Sequence, residues 1–256
     1  MIKEDLKLAL SLIKKVCDLP FTEPSLLLGT KHIFDHFPVF SLKDLAAIER
    51  VDMMYLQKPN SIAVSDQFLD HALSEEYENE TEKRARRLFV LCHECCHALT
   101  AQNNTIFLEG NWNKLLNSKY RATREKGCAL AAFSEGLATY VAVRAFMSTG
   151  NIDYQAVAGN VAERLMEMLG QMCSDRLFEF MSEFYGIDPA NWTETLTLHY
   201  QKHPELLECG LERYSIGYRF FAIINPDKDM IARLVKRPPP KVRDLLYPLE
   251  YIKKFQ

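Results

Sequence analysis

The sequence predicts an α+β protein that is mostly helical. Glycine is scarce, 10 of 256 residues, which is roughly 4% against a usual ~7% and leaves few tight turns. Two long stretches repeat apolar residues at helical spacing, while only one short segment alternates as a strand does. Hydrophobic residues make up 48% and charged residues 25%, the balance of an ordinary globule rather than of a disordered chain.

Residues 3–16 set Leu6, Leu8, Ala9, Leu12, Ile13 and Val16 near one face, which predicts a first amphipathic helix. Residues 20–60 are mixed, with Pro20, Pro24, Pro38 and Pro59 as breakers. Residues 61–65, Ser-Ile-Ala-Val-Ser, alternate after Pro59-Asn60 and predict a short strand. Asn79-Glu80-Thr81-Glu82 is a capping signal with acids in the first turn. A helix is expected from there to about Gln102, because Ala85, Leu88, Phe89, Cys92, Cys96 and Leu99 fall three and four apart. The polar stretch 103–127 is long for a loop, so it is expected to be functional or to carry short structure of its own.

Residues 128–147 predict a second strong helix, stopped by Ser148-Thr149-Gly150. More helix is expected from about 153 to 185, ending at Gly186, with Met166, Met168, Met172 and Met181 as core filler. Residues 188–207 are less regular. A last helix is expected over 209–224, and a tail containing Pro238-Pro239-Pro240 closes the chain. The length fits one domain, which needs no staple to fold. Its N-terminal part is 1–58, its middle part, with the strand and the two strong helices, is 59–150, and its helical C-terminal part is 151–256.

Charge and cysteine usage narrow the partners. A net charge of −3 does not support a general nucleic-acid or membrane-surface footprint. No run of about 18 apolar residues is present to span a membrane. Charges break residues 1–15 every few positions, so a signal peptide is not expected. Seven cysteines, with Cys95 and Cys96 adjacent, predict free thiols in a reducing compartment and a cytoplasmic location. Oligomeric state is not encoded in any of these patterns.

The chemistry concentrates in His93-Glu94-Cys95-Cys96-His97. Residues i and i+4 stack on one helical face, so two imidazoles can converge on one cation. Glu94, one position on from the first histidine, can reach a water at the metal without binding the metal, as a general base should. A catalytic zinc site needs a third protein ligand and an open position. The metzincin pattern would place Gly at 100 and His at 103, where this chain has Thr100 and Asn103. The leading candidate is Glu135, within the 133–140 segment Phe-Ser-Glu-Gly-Leu-Ala-Thr-Tyr. Gly136 and Ala138 are small, which would let its helix approach the first closely. Glu109 and Glu125 are alternatives within the polar stretch. His32/His36 and His199/His203 share the four-residue spacing but lack the following Glu, so they are expected to be ordinary histidines. The acidic run at 75–82 is expected to be a solvated helix start.

The HExxH run followed by Ser134-Glu135-Gly136-Leu137-Ala138 resembles the gluzincin class of zinc metallopeptidases, the thermolysin-like MA clan. Tyr214-Ser215-Ile216-Gly217 resembles that group's later Tyr-x-x-Gly segment. Pro238-Pro239 with Pro248-Leu249-Glu250-Tyr251 resembles its closing Pro-Pro and Pro-Glu-Lys-Tyr signature. The likeness runs over about residues 59–251. It implies a zincin-like fold with a small sheet and a C-terminal helical part. It also implies one zinc ion held by His93, His97 and Glu135, with Glu94 as base and proton shuttle. The strand at 61–65 would then be the sheet edge that pairs with extended substrate backbone. Tyr214 is the candidate oxyanion donor, with Tyr218, His199 and His203 competing. The activity implied is hydrolysis of a peptide or protein substrate.

This chain departs from that pattern in two places. Position 139 is Thr, where many gluzincins carry an Asp that orients a ligand histidine. The pair between the histidines is Cys95-Cys96, and helical spacing sets Cys95 on a different side from Cys92 and Cys96. A catalytically inactive zincin-like module that binds a peptide or protein partner is the alternative. A structural zinc site built from Cys92, Cys95, His93 and His97 is disfavoured, because side chains on one straight helix cannot surround an ion.

Overall fold

The computed structural model describes residues 2–34, 53–66, 68, 80–174 and 212–255. In chain order it holds helix α1 (Ile2–Val16), strand β1 (Ser25–Leu28), a single turn α2 (Lys31–Phe34), strands β2 (Met53–Leu56) and β3 (Ser61–Val64), and helix α3 (Glu80–Asn103). A 3-10 turn (Thr105–Phe107), α4 (Glu109–Leu116), α5 (Arg121–Met147) and α6 (Ile152–Ser174) follow. The C-terminal elements are α7 (Glu212–Ile224), α8 (Lys228–Lys236), α9 (Val242–Leu246), α10 (Pro248–Ile252) and a last 3-10 turn (Lys253–Phe255). The protein is thus mostly helical, with one small sheet. Among the described residues no helix is long and apolar enough to cross a membrane.

Contacts group the chain into two compact units. One contains residues 1–103 and 141–159, the other 104–140 and 160–256. Helix α5 runs through both, contributing its residues to Tyr140 to the second and the rest to the first.

The first unit is built around α3, which packs on α1 and on β2. Apolar positions of α1 at helical spacing, Leu6, Ala9, Leu10 and Ile13, are buried. Asp5 on the same helix is fully buried and binds two arginines of α3, Arg84 at 2.9 Å and Arg87 at 2.8 Å. The buried carboxylate therefore has its charge matched, as burial requires. At the other end of α3, the Gln102 amide accepts from the Thr22 backbone N–H at 2.6 Å and donates to the Thr22 carbonyl at 3.0 Å. That side chain completes a backbone pair much as a neighbouring strand would.

The sheet order is β1-β3-β2, with β1 parallel and β2 antiparallel to β3. All four residues of β3 are buried. The strand expected at 61–65 therefore exists, but it is central and not the sheet edge. Its main-chain groups are already committed to β1 and β2, so it cannot pair with a substrate. Strands β1 (Ser-Leu-Leu-Leu) and β2 (Met-Met-Tyr-Leu) lie in the proline-broken region, and neither alternates apolar with polar residues.

The second unit has an aromatic centre. Phe133 of α5 contacts Phe107 (5.9 Å between centroids), Phe220 (6.2 Å) and Phe221 (5.1 Å). The Asn104 side chain donates to the Val235 carbonyl at 2.7 Å, and the Tyr251 hydroxyl to the Arg237 carbonyl at 2.7 Å. These bonds cap the end of α8 and close the C-terminal helices onto it.

Several expectations change in detail. The polar stretch after Asn103 does carry structure, α4, and α5 begins at Arg121 rather than 128. The proline-containing tail folds as α8, α9 and α10. Met166 is 45% exposed, so it is not core filler. Residues 175–211, with Met181, Gly186, His199 and His203, lie outside the described residues, as does His36.

Candidate metal centre

Helix α3 is buried on nearly every side. From Arg87 to Ala101 only Val90, His93 and His97 are not buried. Those three positions fall on one helical face, so the histidines line the one open stripe of an otherwise enclosed helix. Helix α5 repeats this pattern. Between Gly127 and Val143 only Ser134 and Glu135 are not buried. Two helices whose cores are apolar thus expose polar chemistry at one place each.

Those places meet. Nε2 of His93 and Nε2 of His97 stand 3.0 Å apart, with the rings at 81°. One ligand atom from each of His93, His97 and Glu135 lies within 4.8 Å of the other two. This group could hold a metal ion. A tetrahedral ion with bonds of ~2.1 Å separates its ligand atoms by about 3.4 Å. The histidine pair is near that span, and the carboxylate closes it by a shift of about an ångström, well within side-chain freedom. Two imidazole nitrogens and a carboxylate oxygen also form the donor set of a three-ligand site with an open position.

Glu94 is 9% exposed, and its Oε2 accepts a hydrogen bond from the Tyr55 backbone N–H at 2.8 Å. Tyr55 belongs to β2, and its own hydroxyl donates to Asn60 Oδ1 at 2.9 Å. Asn60 sits at φ 61° in the tight connection to β3, a left-handed position that asparagine tolerates better than most residues. The carboxylate beside the first histidine is therefore fixed against the outer side of β2, away from the β3 pairing.

Glu125, the alternative acid, lies ten residues before Glu135 on the same helix. At 1.5 Å per residue it is about 15 Å along the axis, too far to share the ion. Among the described residues its buried Oε1 has no hydrogen-bond partner. Glu109 opens α4, and its side chain lies outside the described residues.

Tyr214 is part-exposed on α7, and its hydroxyl accepts from Arg213 Nη2 at 3.4 Å. Tyr218, its competitor, is 8% exposed, and its ring lies 6.5 Å from that of Tyr140 in the aromatic core. Burial pushes the Tyr218 hydroxyl above its ordinary pKa.

All three cysteines of α3 are buried, Cys95 included. Cys95, on a different side from Cys92 and Cys96, is enclosed all the same because α3 is covered by α1 on one side and β2 on another. Burial raises the pKa of Cys92, Cys95 and Cys96 well above the ordinary thiol value. Among the described residues no thiol joins the His93/His97/Glu135 group. Thr139, at the position where an orienting acid was looked for, is 3% exposed.

The small residues near Glu135 serve a contact different from the one expected. A Cβ on Gly136 would overlap the backbone of Gly217, and a Cβ on Gly217 would overlap the Ala132 carbonyl. Helices α5 and α7 therefore touch backbone to backbone. Two glycines inside helices, each unfavourable there by about 1 kcal/mol relative to Ala, are the sequence signal that could have revealed this. Arg213 and Tyr55 were missed altogether. Arg213 Nη2 stands 3.5 Å from Glu135 Oε1, a pairing no spacing rule announces.

Comparison with known families, with characterised proteins and with solved structures finds no match to this chain.

Proposed function

We propose that this chain is a zinc-dependent peptidase of gluzincin type. The observation that supports it is the convergence of His93, His97 and Glu135, with Glu94 next to the first histidine on the same buried helix. A zinc ion held by these three would polarise a peptide carbonyl and make a nearby water more acidic.

The chain supplies the rest. Glu94 takes the proton from the attacking water and hands it to the leaving amine. The Tyr55 N–H anchors Oε2, so Oε1 is the atom assigned to carry the proton. Tyr214 donates to the oxyanion that develops on the carbonyl oxygen. Because β3 is enclosed in the sheet, the extended substrate backbone is assigned to the outer edge of β2, beside the base.

The test is metal analysis of the purified protein together with turnover on a peptide library. Turnover abolished by a chelator, restored by zinc and lost in Glu94→Gln supports the peptidase. Peptide binding without turnover by the zinc-loaded parent supports the inactive binding module instead.

A further inference from the structure

The contact between α5 and α7 determines what stands beside the candidate ligand Glu135. Gly136 and Gly217 touch with no side chain between the two backbones. Glu135 precedes Gly136 in the chain. Arg213 lies four residues before Gly217, one turn along the same face of α7. The crossing thus delivers the Arg213 side chain to the Glu135 carboxylate. Nη2 is 3.5 Å from Glu135 Oε1 and 3.4 Å from the Tyr214 hydroxyl. The guanidinium also lies over the Tyr214 ring, 5.1 Å from its centroid. The side chains of Arg213 and Glu135 are 27% and 17% exposed, so water and salt screen the pair only partly.

We propose that Arg213 is a positioning residue of the metal centre. It holds Oε1 of Glu135 so that Oε2 is turned to the metal, and it fixes the direction in which the Tyr214 hydroxyl donates. The inference rests on the metal reading given above. Its chemistry follows from what a guanidinium can do. Arginine has donors and no acceptor, and it keeps its charge at any pH of interest. The Tyr214 oxygen must therefore be the acceptor in their hydrogen bond. That bond does not use the Tyr214 hydrogen, so the hydroxyl keeps its capacity to donate, as an oxyanion donor requires. Donation into the phenol oxygen also polarises the O–H and strengthens it as a donor. One nitrogen thereby couples the ligand carboxylate to the candidate oxyanion donor. Arg213 itself touches neither metal nor substrate.

The experiment compares the full-length parent with Arg213→Met, which keeps the stem and removes the donors and charge, and with Arg213→Lys. Zinc affinity is read by competition with a chromogenic chelator. Partners that orient a metal ligand typically contribute ~10–100-fold in affinity, so Arg213→Met should bind zinc at least tenfold more weakly. Arg213→Lys should recover most of the affinity, since an ammonium still pairs with Glu135. Its kcat should stay depressed with KM unchanged, because a point charge does not hold Glu135 and Tyr214 together.

Zinc bound by Arg213→Met as tightly as by the parent, or more tightly, overturns the proposal. Should Arg213→Met lose its helical circular dichroism, cobalt-loaded Arg213→Lys decides. A visible absorption band shifted from the parent's supports the role, and an identical band overturns it. A weakened site in Arg213→Met, alongside a zinc-loaded parent that cleaves no peptide, removes the peptidase and leaves Arg213 as assigned. A cleaving parent with undiminished zinc affinity in Arg213→Met does the reverse. A parent that takes up no metal overturns both.

Discussion

The backbone N–H of Tyr55 on strand β2 donates to Oε2 of Glu94 on helix α3 across 2.8 Å. The two residues are 39 positions apart, and no motif announces the Tyr55 end of the bond. It ties the acid of the HExxH run to the sheet and separates two substitutions that would otherwise look alike. Glu94→Gln keeps an oxygen for the Tyr55 N–H, whereas Glu94→Ala leaves that donor without an acceptor. An orphaned donor costs about 1–3 kcal/mol. Urea unfolding should show Glu94→Ala less stable than Glu94→Gln by that amount. Both should lose at least two orders of magnitude in peptide turnover, within the ~10²–10⁴ range of a positioned general base. Zinc content should stay near the parent's. Parental turnover in Glu94→Gln would move the chemistry to another site.

His93→Ala, His97→Ala and Glu135→Ala should each lose tightly held zinc, because two ligands neither hold nor orient the ion. Glu125→Ala should keep it, since that residue stands about 15 Å along α5 from Glu135. Metal analysis after dialysis against a weak chelator distinguishes them. Zinc retained by Glu135→Ala and lost by Glu125→Ala would reverse the ligand assignment.

Gly136→Ala should destabilise the protein by about 3 kcal/mol or more, at the top of the overpacking range. The added Cβ meets the Gly217 backbone, which cannot rotate away as a side chain would. Thermal unfolding reads the loss. Gly150→Ala is the control for bulk. Its Cβ would meet nothing within 4 Å, so its penalty comes only from the backbone angle, φ 70°.

Asp5→Ala should cost about 3–5 kcal/mol, the usual result of removing one partner of a buried ion pair. Arg87, 5% exposed, would be left with an uncompensated charge. Arg84, nearly half exposed, should contribute little of the loss. Unfolding of Asp5→Ala beside Arg84→Ala and Arg87→Ala checks the order: Asp5 and Arg87 large, Arg84 small.

Burial, assisted by Asp244, raises the Tyr251 hydroxyl to about 12 from an ordinary value of 10.0. The folded state then holds its proton more tightly than the unfolded chain does. The stability this contributes is complete below pH 10 and falls as pH rises from about 10 towards 12. Tyr251→Phe should flatten that alkaline decline. It should also lose stability at neutral pH, through the missing bond to the Arg237 carbonyl. An alkaline limb unchanged in Tyr251→Phe would assign the decline to other groups.

The main helices and the pairing of His93 with His97 were legible from residue patterns because both depend on local spacing. The 3.6-residue period marked α1 and α3 within a residue or two of their ends and α5 from residue 128 onward, and the i, i+4 rule put His93 and His97 together. Proximity between distant segments has no such signature. Nothing local says that β3 lies between two four-residue strands. Equally silent are the pairing of the Tyr55 N–H with Glu94 and the arrival of Arg213 at Glu135. These outcomes follow from which surfaces pack, and packing responds to shape across the whole chain. The role of Gly136 illustrates the boundary. Its smallness announced a close helix approach, but only the folded chain decided that the partner was Gly217 on α7 rather than the histidine helix, because a backbone-to-backbone crossing needs a second residue without a Cβ directly opposite.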